Sequence, residues 1–232
     1  MNNIADQLQL AYHNLAQKCA ELSVNADKIQ LLAVSKTKAA SDVMQAYHAG
    51  QCHFGENYPQ ELADKATELA HYNDICWHFI GPLQSNKTKL VAHSAQWVHS
   101  LDRLKIAQRL NEQRPDNLGK LNVLLQINIS AEDSKAGVLP ADVLPLARQI
   151  STLAQVELCG LMAIPAPAIA HDNSAAFAAM AQLSKTLQQE FPQATQLSMG
   201  MSDDWQQALI YGATMIRLGT AIFGARETHL YE

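Results

Sequence analysis

The sequence predicts an α/β protein, a single-domain (β/α)8 TIM barrel with an extra amino-terminal helix, on three observations. Short apolar runs alternate with amphipathic segments along the whole chain, about eight times, which is the order of repeated strand–helix units. The run Leu31-Leu-Ala-Val-Ser35 is apolar at consecutive positions, as strands buried on both faces of a parallel sheet are. A length of 232 residues suits one undivided barrel. A doubly wound open sheet is the competing architecture, because periodicity does not separate a closed sheet from an open one. No G-x-G-x-x-G follows the first strand, which weakens the dinucleotide-binding form of that competitor.

The elements follow in order. Ile4, Leu8, Tyr12, Leu15, Cys19 and Leu22 recur every three or four residues and predict an opening helix with one buried face. The predicted strands are Leu31 to Ser35, Cys52 to Gly55, Trp77 to Ile80 and Trp97 to Ser100, then Asn122 to Ile129, Leu158 to Ile164, Thr195 to Met199 and Met215 to Leu218. Helix starts are expected at Ser41 and Asp42, at Asp102, and at Ser202 with Asp203 and Asp204, where short polar side chains serve as caps. Gly50 and Gly212 are expected ends. Phe177, Met180, Leu183, Leu187 and Phe191 mark another buried helix face, stopped by Pro192. No linker, low-complexity stretch or internal repeat interrupts this order, so residues 1–232 read as one domain.

Composition narrows the function. The hydrophobic fraction of 48% is ample for a core, and the formal charge of −5 argues against a nucleic-acid-binding or anionic-membrane surface. Cys19, Cys52, Cys76 and Cys159 are widely spaced and lie in or beside apolar runs, the pattern of reduced thiols and not of a disulfide framework. The nine histidines include no H-E-x-x-H and no C-x-x-C occurs, so no metal site is expected. The opening residues lack a basic stretch followed by an apolar one, and no apolar run approaches membrane-spanning length. A soluble, cytoplasmic protein is expected.

Chemistry concentrates at the carboxyl ends of the predicted strands. Lys36 ends the first of them, at the mouth of a core where desolvation lowers an amine's pKa. A neutral amine attacks a carbonyl, so Lys36 is a candidate Schiff-base former; a lysine that snorkels to solvent is the alternative. Glu56-Asn57, Gly81 to Asn86, Ser198 to Ser202 and Gly219-Thr220 occupy comparable ends. The last two groups follow the seventh and eighth strands, where barrels often bind phosphate. Ser198, Gly200, Ser202, Gly219 and Thr220 are small or hydroxylated and suit close approach to an anion, although such residues also make ordinary turns. Asp203 and Asp204 oppose an anion on the axis of the following helix, so the backbone around Gly200 and Gly219 is the better cradle. Arg217 lies within the apolar strand Met-Ile-Arg-Leu; it either forms a structural salt bridge or meets an acceptor at the barrel mouth. A Schiff-base lysine, a phosphate cradle and an arginine in one mouth together suggest pyridoxal 5′-phosphate (PLP). An arginine facing the pyridine nitrogen is a permanent donor, so that nitrogen stays unprotonated and the ring is a weaker electron sink.

The run Trp77-His-Phe-Ile-Gly-Pro-Leu-Gln-Ser-Asn-Lys87 resembles the signature of the YggS/PROSC-type pyridoxal phosphate homeostasis proteins. Ala33-Val-Ser-Lys36, Phe54-Gly-Glu-Asn57, Leu197-Ser-Met-Gly-Met-Ser202 and Arg217-Leu-Gly-Thr-Ala-Ile-Phe-Gly224 resemble that family's other motifs in the same order. Pro59 departs from the family's more usual valine, near an expected helix start where proline is tolerated. The resemblance implies a barrel like the amino-terminal domain of alanine racemase, with PLP held as a Schiff base on Lys36. It also implies phosphate contacts from Ser198, Gly200, Met201 and Ser202 and from Gly219 and Thr220, and an Arg217 contact to the ring nitrogen. Asn57 and His78 are expected near the cofactor, with His78 equally readable as a satisfied core histidine. Lys38, Lys87 and Lys89 are expected to be solvated.

The function so implied is storage, buffering or delivery of PLP without appreciable catalysis, by a monomer, with apo forms of PLP-dependent enzymes as possible recipients. A PLP-dependent racemase is one alternative. Racemases on this barrel complete their site with a second, β-rich domain and a catalytic tyrosine, whereas only Ala221 to Glu232 follow the last predicted strand and Tyr231 is a tail residue. A Schiff-base aldolase on a phosphate-binding barrel is the other alternative.

Overall fold

The computed structural model describes residues 3–130, 136–165 and 172–225. Eight strands close a barrel in chain order: β1 (Gln30–Val34), β2 (His53–Glu56), β3 (Cys76–Phe79), β4 (Trp97–Leu101), β5 (Leu121–Ile127), β6 (Val156–Ala163), β7 (Gln196–Ser198) and β8 (Met215–Leu218). Every neighbouring pair is parallel, and β8 returns to β1 with Gln30 opposite Met215 and Ala33 opposite Leu218. That last pairing excludes the open sheet. The strands lie close to their predicted positions, offset at the ends by one or two residues.

The helices are α1 (Ile4–Glu21), α2 (Ala40–His48), α3 (Pro59–Glu68), α4 (Thr88–Ser94), α5 (Leu104–Gln113), α6 (Val143–Ile150), α7 (Ser174–Glu190), α8 (Trp205–Ile210) and α9 (Thr220–Phe223). One follows each strand, and α1 is the extra element. Asn3 caps α1 by accepting from the Ala5 N–H at 3.1 Å. Ile4, Leu8, Ala11, Leu15 and Cys19 bury its face against α2 and α9. Tyr12 departs from that face: it is 40% exposed and its hydroxyl donates to Gln51 Oε1 at 2.6 Å.

Helix boundaries deviate from expectation at α2, α5 and α8, each of which starts without a side-chain N-cap bond. α2 begins at Ala40 behind Ala39, with no side-chain cap, and α5 begins at Leu104 because Asp102 pairs with Arg103 at 2.7 Å. α8 begins at Trp205, and Asp204 uses its carboxylate to accept the Met201 N–H at 2.7 Å. Pro59 occupies the first turn of α3, where its missing N–H costs nothing. Gly50 and Gly212 follow α2 and α8 with φ of +98° and +85°, a left-handed stop that glycine adopts without strain.

Strand alternation divides the core into two layers. Leu31 and Ala33 face the helices as part of the larger cluster. Leu32 faces inward with Leu124, Met162 and Met215, and this plug fills the middle of the barrel. Truncating a fully buried leucine such as Leu32 to alanine costs about 2–5 kcal/mol. Above and below the plug the barrel interior is polar, and both ends hold chemistry.

Candidate functional site

A cavity of about 680 Å³ opens at the carboxyl ends of the strands, within the ~300–1,000 Å³ range of small-molecule sites. Lys36, Asn57, Met201, Ser202, Arg217, Gly219 and Thr220 all line it. Seven residues singled out from the sequence thus converge on one space, although they come from four different strand ends. Gly200, Ser198 and His78 do not line it.

Lys36 reaches this mouth because β1 alternates. Leu32 points inward and Lys36 lies four residues on, at the same phase. The lysine is half-buried. Its neighbours are held tightly from outside the barrel. The Ser35 hydroxyl donates to Glu56 Oε1 at 2.6 Å, and Lys65 Nζ donates to the Ser35 carbonyl at 2.8 Å and to Glu56 Oε1 at 2.7 Å. Lys65 also pairs with Glu61 at 3.0 Å, and Glu61 accepts the Thr37 N–H at 2.7 Å. Thr37 adopts φ of +63°, a left-handed conformation that is rare for a β-branched residue. The network therefore clamps a strained turn directly after Lys36.

Glu56 belongs to this clamp and not to the cavity. It points outward beneath α3, fully buried, and burial raises its pKa more than Lys65 and Ser35 lower it. Asn57, the next residue, faces the cavity instead. Gly81 packs its α-carbon against the Asn57 backbone so closely that a β-carbon there would overlap the Asn57 carbonyl. Gly81 thus supports Asn57 from behind.

Arg217 is buried at the floor of the cavity, with burial bringing its pKa down to about 10. No carboxylate pairs with it among the described residues; Nη1 donates to Ser198 Oγ at 2.7 Å and Nη2 to the Ala163 carbonyl at 3.0 Å. These bonds leave guanidinium donors for a ligand. The structural salt bridge weighed from the sequence is therefore absent among the described residues.

Ser198 lies one layer beneath the cavity. Its Oγ is 2.9 Å from His99 Nδ1; His99 Nε2 is 2.9 Å from His78 Nδ1; His78 Nε2 is 3.0 Å from His53 Nδ1. Arginine can only donate, so Ser198 accepts from Arg217 and is free to give its own hydrogen to His99. That choice makes His99 donate to His78, and His78 to His53. One polarity runs down the barrel axis and satisfies every group. His78 and His99 are fully buried, and desolvation holds both well below the usual imidazole pKa, helped by His99 beside His78 and by Arg217 beside His99. His78 is thus a satisfied core histidine near the amino-terminal end, because it precedes the cavity-lining Ile80 by two residues and sits one layer deeper.

At the opposite wall, Ser202, Gly219 and Thr220 border the cavity. In the short α9 the Ile222 and Phe223 N–H groups donate back to the Gly219 carbonyl at 2.9 Å, so those that face the cavity without an intrahelical carbonyl are at its very start. Gly200 has φ of +92°, and a β-carbon there would strike Trp205 and Ala208. It makes the turn that brings this wall close, and its carbonyl accepts the Arg217 N–H at 3.0 Å. Asp204 is turned away to Met201 and Asn173, while Asp203 does line the cavity.

These groups fit PLP on observations internal to the structure. The cavity has the size; a lysine and a carboxylate-free guanidinium share it; hydroxyls gather on one wall. Asn57 Oδ1 is also buried, with no hydrogen-bond partner among the described residues, and it belongs to a residue that lines the cavity, so a bound ligand can supply the partner. Sequence reasoning missed Ser198 as the support of Arg217 and Lys65 as the support of Lys36. The available signal was Lys65 on the apolar stripe Leu62, Lys65, Leu69, since a lysine on a buried helix face needs a partner. Tyr231 lies outside the described residues.

Comparison with known proteins agrees. Residues 10–227 match the family model described as alanine racemase, N-terminal domain. A Haemophilus influenzae protein named "Pyridoxal phosphate homeostasis protein" is 51% identical, over 97% of this chain and 96% of its own length. The structure of PipY from Synechococcus elongatus with PLP bound superposes with a TM-score of 0.78 at 39% identity, covering 90% of this chain and all of that one. Alanine racemase from Corynebacterium glutamicum shares the fold, with a TM-score of 0.72 at 14% identity over all of this chain and 63% of its own. With this similarity running nearly end to end, the chain belongs to the pyridoxal phosphate homeostasis protein family, on the alanine racemase N-terminal domain fold.

Proposed function

We propose that this protein binds PLP through Lys36 and stores, buffers or delivers it, without appreciable catalysis. The observation that carries the reading is the meeting of Lys36 and Arg217 in one cavity, in a chain 39% identical to a PLP-bound relative. When bound, the cofactor supplies an aldehyde that an amine can capture and a ring that can withdraw electrons. Lys36 is the amine. Ser202 and Thr220 offer hydroxyls, and Gly219 and Thr220 offer backbone, to the phosphate; Met201 borders the cavity with its own N–H held by Asp204, and Ser198 and Gly200 act by holding Arg217. Arg217 faces the ring nitrogen as a donor that cannot protonate it, and Asn57 supplies a further polar contact.

Support for a non-catalytic role comes from the cavity wall. Among the described residues lining it there is no tyrosine, histidine, cysteine or glutamate, and its acid–base groups come down to Lys36, Lys38 and Asp203, so the tyrosine base of a racemase has no counterpart there. Such a base is typically worth 10²–10⁴-fold in rate. Every residue named comes from one chain, so a monomer suffices, and residues 1–232 act as one domain. The four cysteines are free, which accords with the cytoplasm, where apo-enzymes that need PLP would receive it. No described helix is long and apolar enough to cross a membrane.

The purified protein should show the visible absorbance of lysine-bound PLP, which an aldolase would lack. Borohydride reduction and peptide mapping should place the adduct on Lys36, and Lys36→Ala should lose it. Incubation of the loaded protein with L-amino acids, followed by chiral chromatography, should show no racemisation or decarboxylation. Turnover at ordinary enzymatic rates that is lost in Lys36→Ala would replace the carrier reading with the racemase-like one.

A further inference from the structure

We propose that His53, Cys76 and His78 form a site for a zinc-class divalent metal ion at the amino-terminal mouth of the barrel, opposite the PLP cavity. The strand register assembles it. His53 opens β2 and pairs across the sheet with Cys76, which opens β3, and His78 lies two residues after Cys76 on the same face. The three donor atoms lie within 4.8 Å of one another. His53 Nδ1 is 3.0 Å from His78 Nε2, and Cys76 Sγ is 3.5 Å from the same nitrogen.

The two separations at His78 Nε2 are close to what a tetrahedral ion requires. With zinc–nitrogen bonds of about 2.0–2.1 Å and a zinc–sulfur bond of about 2.3 Å, donors sit about 3.3–3.5 Å apart. Small side-chain rotations about β2 and β3 therefore suffice. Two imidazoles and a thiolate prefer zinc and its neighbours over magnesium or calcium, which favour oxygen. The fourth position is left to water or a small ligand from a cavity of about 240 Å³ that His53 and His78 line together with Asp27 and Lys28. Linear motifs hide this set, because 22 residues, the rest of β2 and helix α3 among them, separate His53 from Cys76.

The buried end of the site is prepared as well. A metal-bound His78 Nε2 needs its proton on Nδ1, and Nδ1 faces His99 Nε2 at 2.9 Å. Such a partner on the far nitrogen is what orients metal-bound histidines. Occupation would reverse the polarity of the axial chain: His78 donates to His99, His99 donates to Ser198, and each ring stays neutral. The Cys76 thiol gives its proton to water as the sulfur–metal bond forms. Ser198 then accepts from both His99 and Arg217, and its own hydrogen turns elsewhere.

Cobalt(II) is the probe for the test, added to metal-stripped full-length protein without a histidine tag. We expect one cobalt per chain, a thiolate-to-cobalt charge-transfer band, the visible bands of a four-coordinate ion, and displacement by zinc. Cys76→Ser should abolish the charge-transfer band. His53→Gln should weaken binding at least tenfold, since losing even an outer partner costs about 10–100-fold. If Cys76→Ser does not fold, alkylation of the wild-type protein decides: zinc should protect Cys76 and leave Cys52 reactive. Lys36→Ala should bind cobalt like the wild type, which separates this site from the PLP reading. Absence of the thiolate band in wild type, equal affinity in His53→Gln, or no zinc protection of Cys76 would each overturn the proposal.

Discussion

Arg217 donates to the Ser198 hydroxyl across 2.7 Å, from β8 to the end of β7. The pair joins the cavity at one mouth to three histidines that reach toward the other. Ser198 accepts from arginine and can either donate to His99 or accept from it, so the turn of its one hydrogen goes with the direction of the histidine bonds beneath it. A residue singled out as a phosphate ligand is instead the fixture for a guanidinium.

Ser198→Ala tests that role. Removing the hydroxyl leaves His99 Nδ1 without its partner in a fully buried position, at a cost of about 1–3 kcal/mol. Urea unfolding should show this loss. Borohydride labelling of Lys36 should persist, because the amine is untouched, while PLP retention weakens as Arg217 loses its orientation. Unchanged stability and retention together would count against the fixture.

The hydroxyl wall should matter as much as the lysine. A hydrogen bond to a charged group is worth about 1.5–3 kcal/mol. The double variant Ser202→Ala/Thr220→Val should therefore weaken PLP binding by about two to four powers of ten, if the losses add. Pyridoxal, without the phosphate, should bind far more weakly than PLP to the wild type and nearly as it does to the double variant. Equilibrium dialysis measures both.

Lys65→Met should be among the most damaging single changes on α3. It leaves Glu56 buried beside Glu61 without its cation, and breaking a buried pair costs about 3–5 kcal/mol. Adding Glu56→Gln should recover a large part of the loss, because the second change removes the orphaned charge. Thermal unfolding of the two single variants and the double variant supplies the cycle. Additive losses would show that the pair does not act as a unit.

Acid sensitivity should begin near pH 6.5. His78 and His99 have folded-state pKa values well below that of a free imidazole. As pH falls below about 6.5 the unfolded chain takes up protons that the folded chain refuses, so stability falls. The slope approaches 1.4 kcal/mol per pH unit for each histidine, at most. Carboxylates held low, such as Asp74 and Asp172, contribute only at more acidic pH. Denaturant unfolding from pH 7.5 to 5, with chelator present, should show the decline, and a flat profile would exclude it.

The barrel and the set of residues that gather at its carboxyl-end cavity were determined by the sequence itself. Both are written in short-range terms: apolar runs of strand length, helix faces at three- and four-residue spacing, and Lys36, Asn57, Ser202, Gly219 and Thr220 at the ends of the runs. A parallel barrel places all strand ends on one rim, so their order along the chain suffices to bring these residues together.

Closure itself, the depth of each residue and the pairing across strands were decided only by the tertiary structure. The β1–β8 pairing leaves no local trace in sequence, since its partners lie at opposite ends of the chain. His78 and Ser198 looked like cavity residues because strand position does not reveal the layer; inter-strand register set them beneath it. The Lys65–Glu56 clamp and the His53, Cys76, His78 cluster arise from the same cause. Side chains far apart in sequence become neighbours only when twist and register are fixed, and that is a property of the closed sheet as a whole.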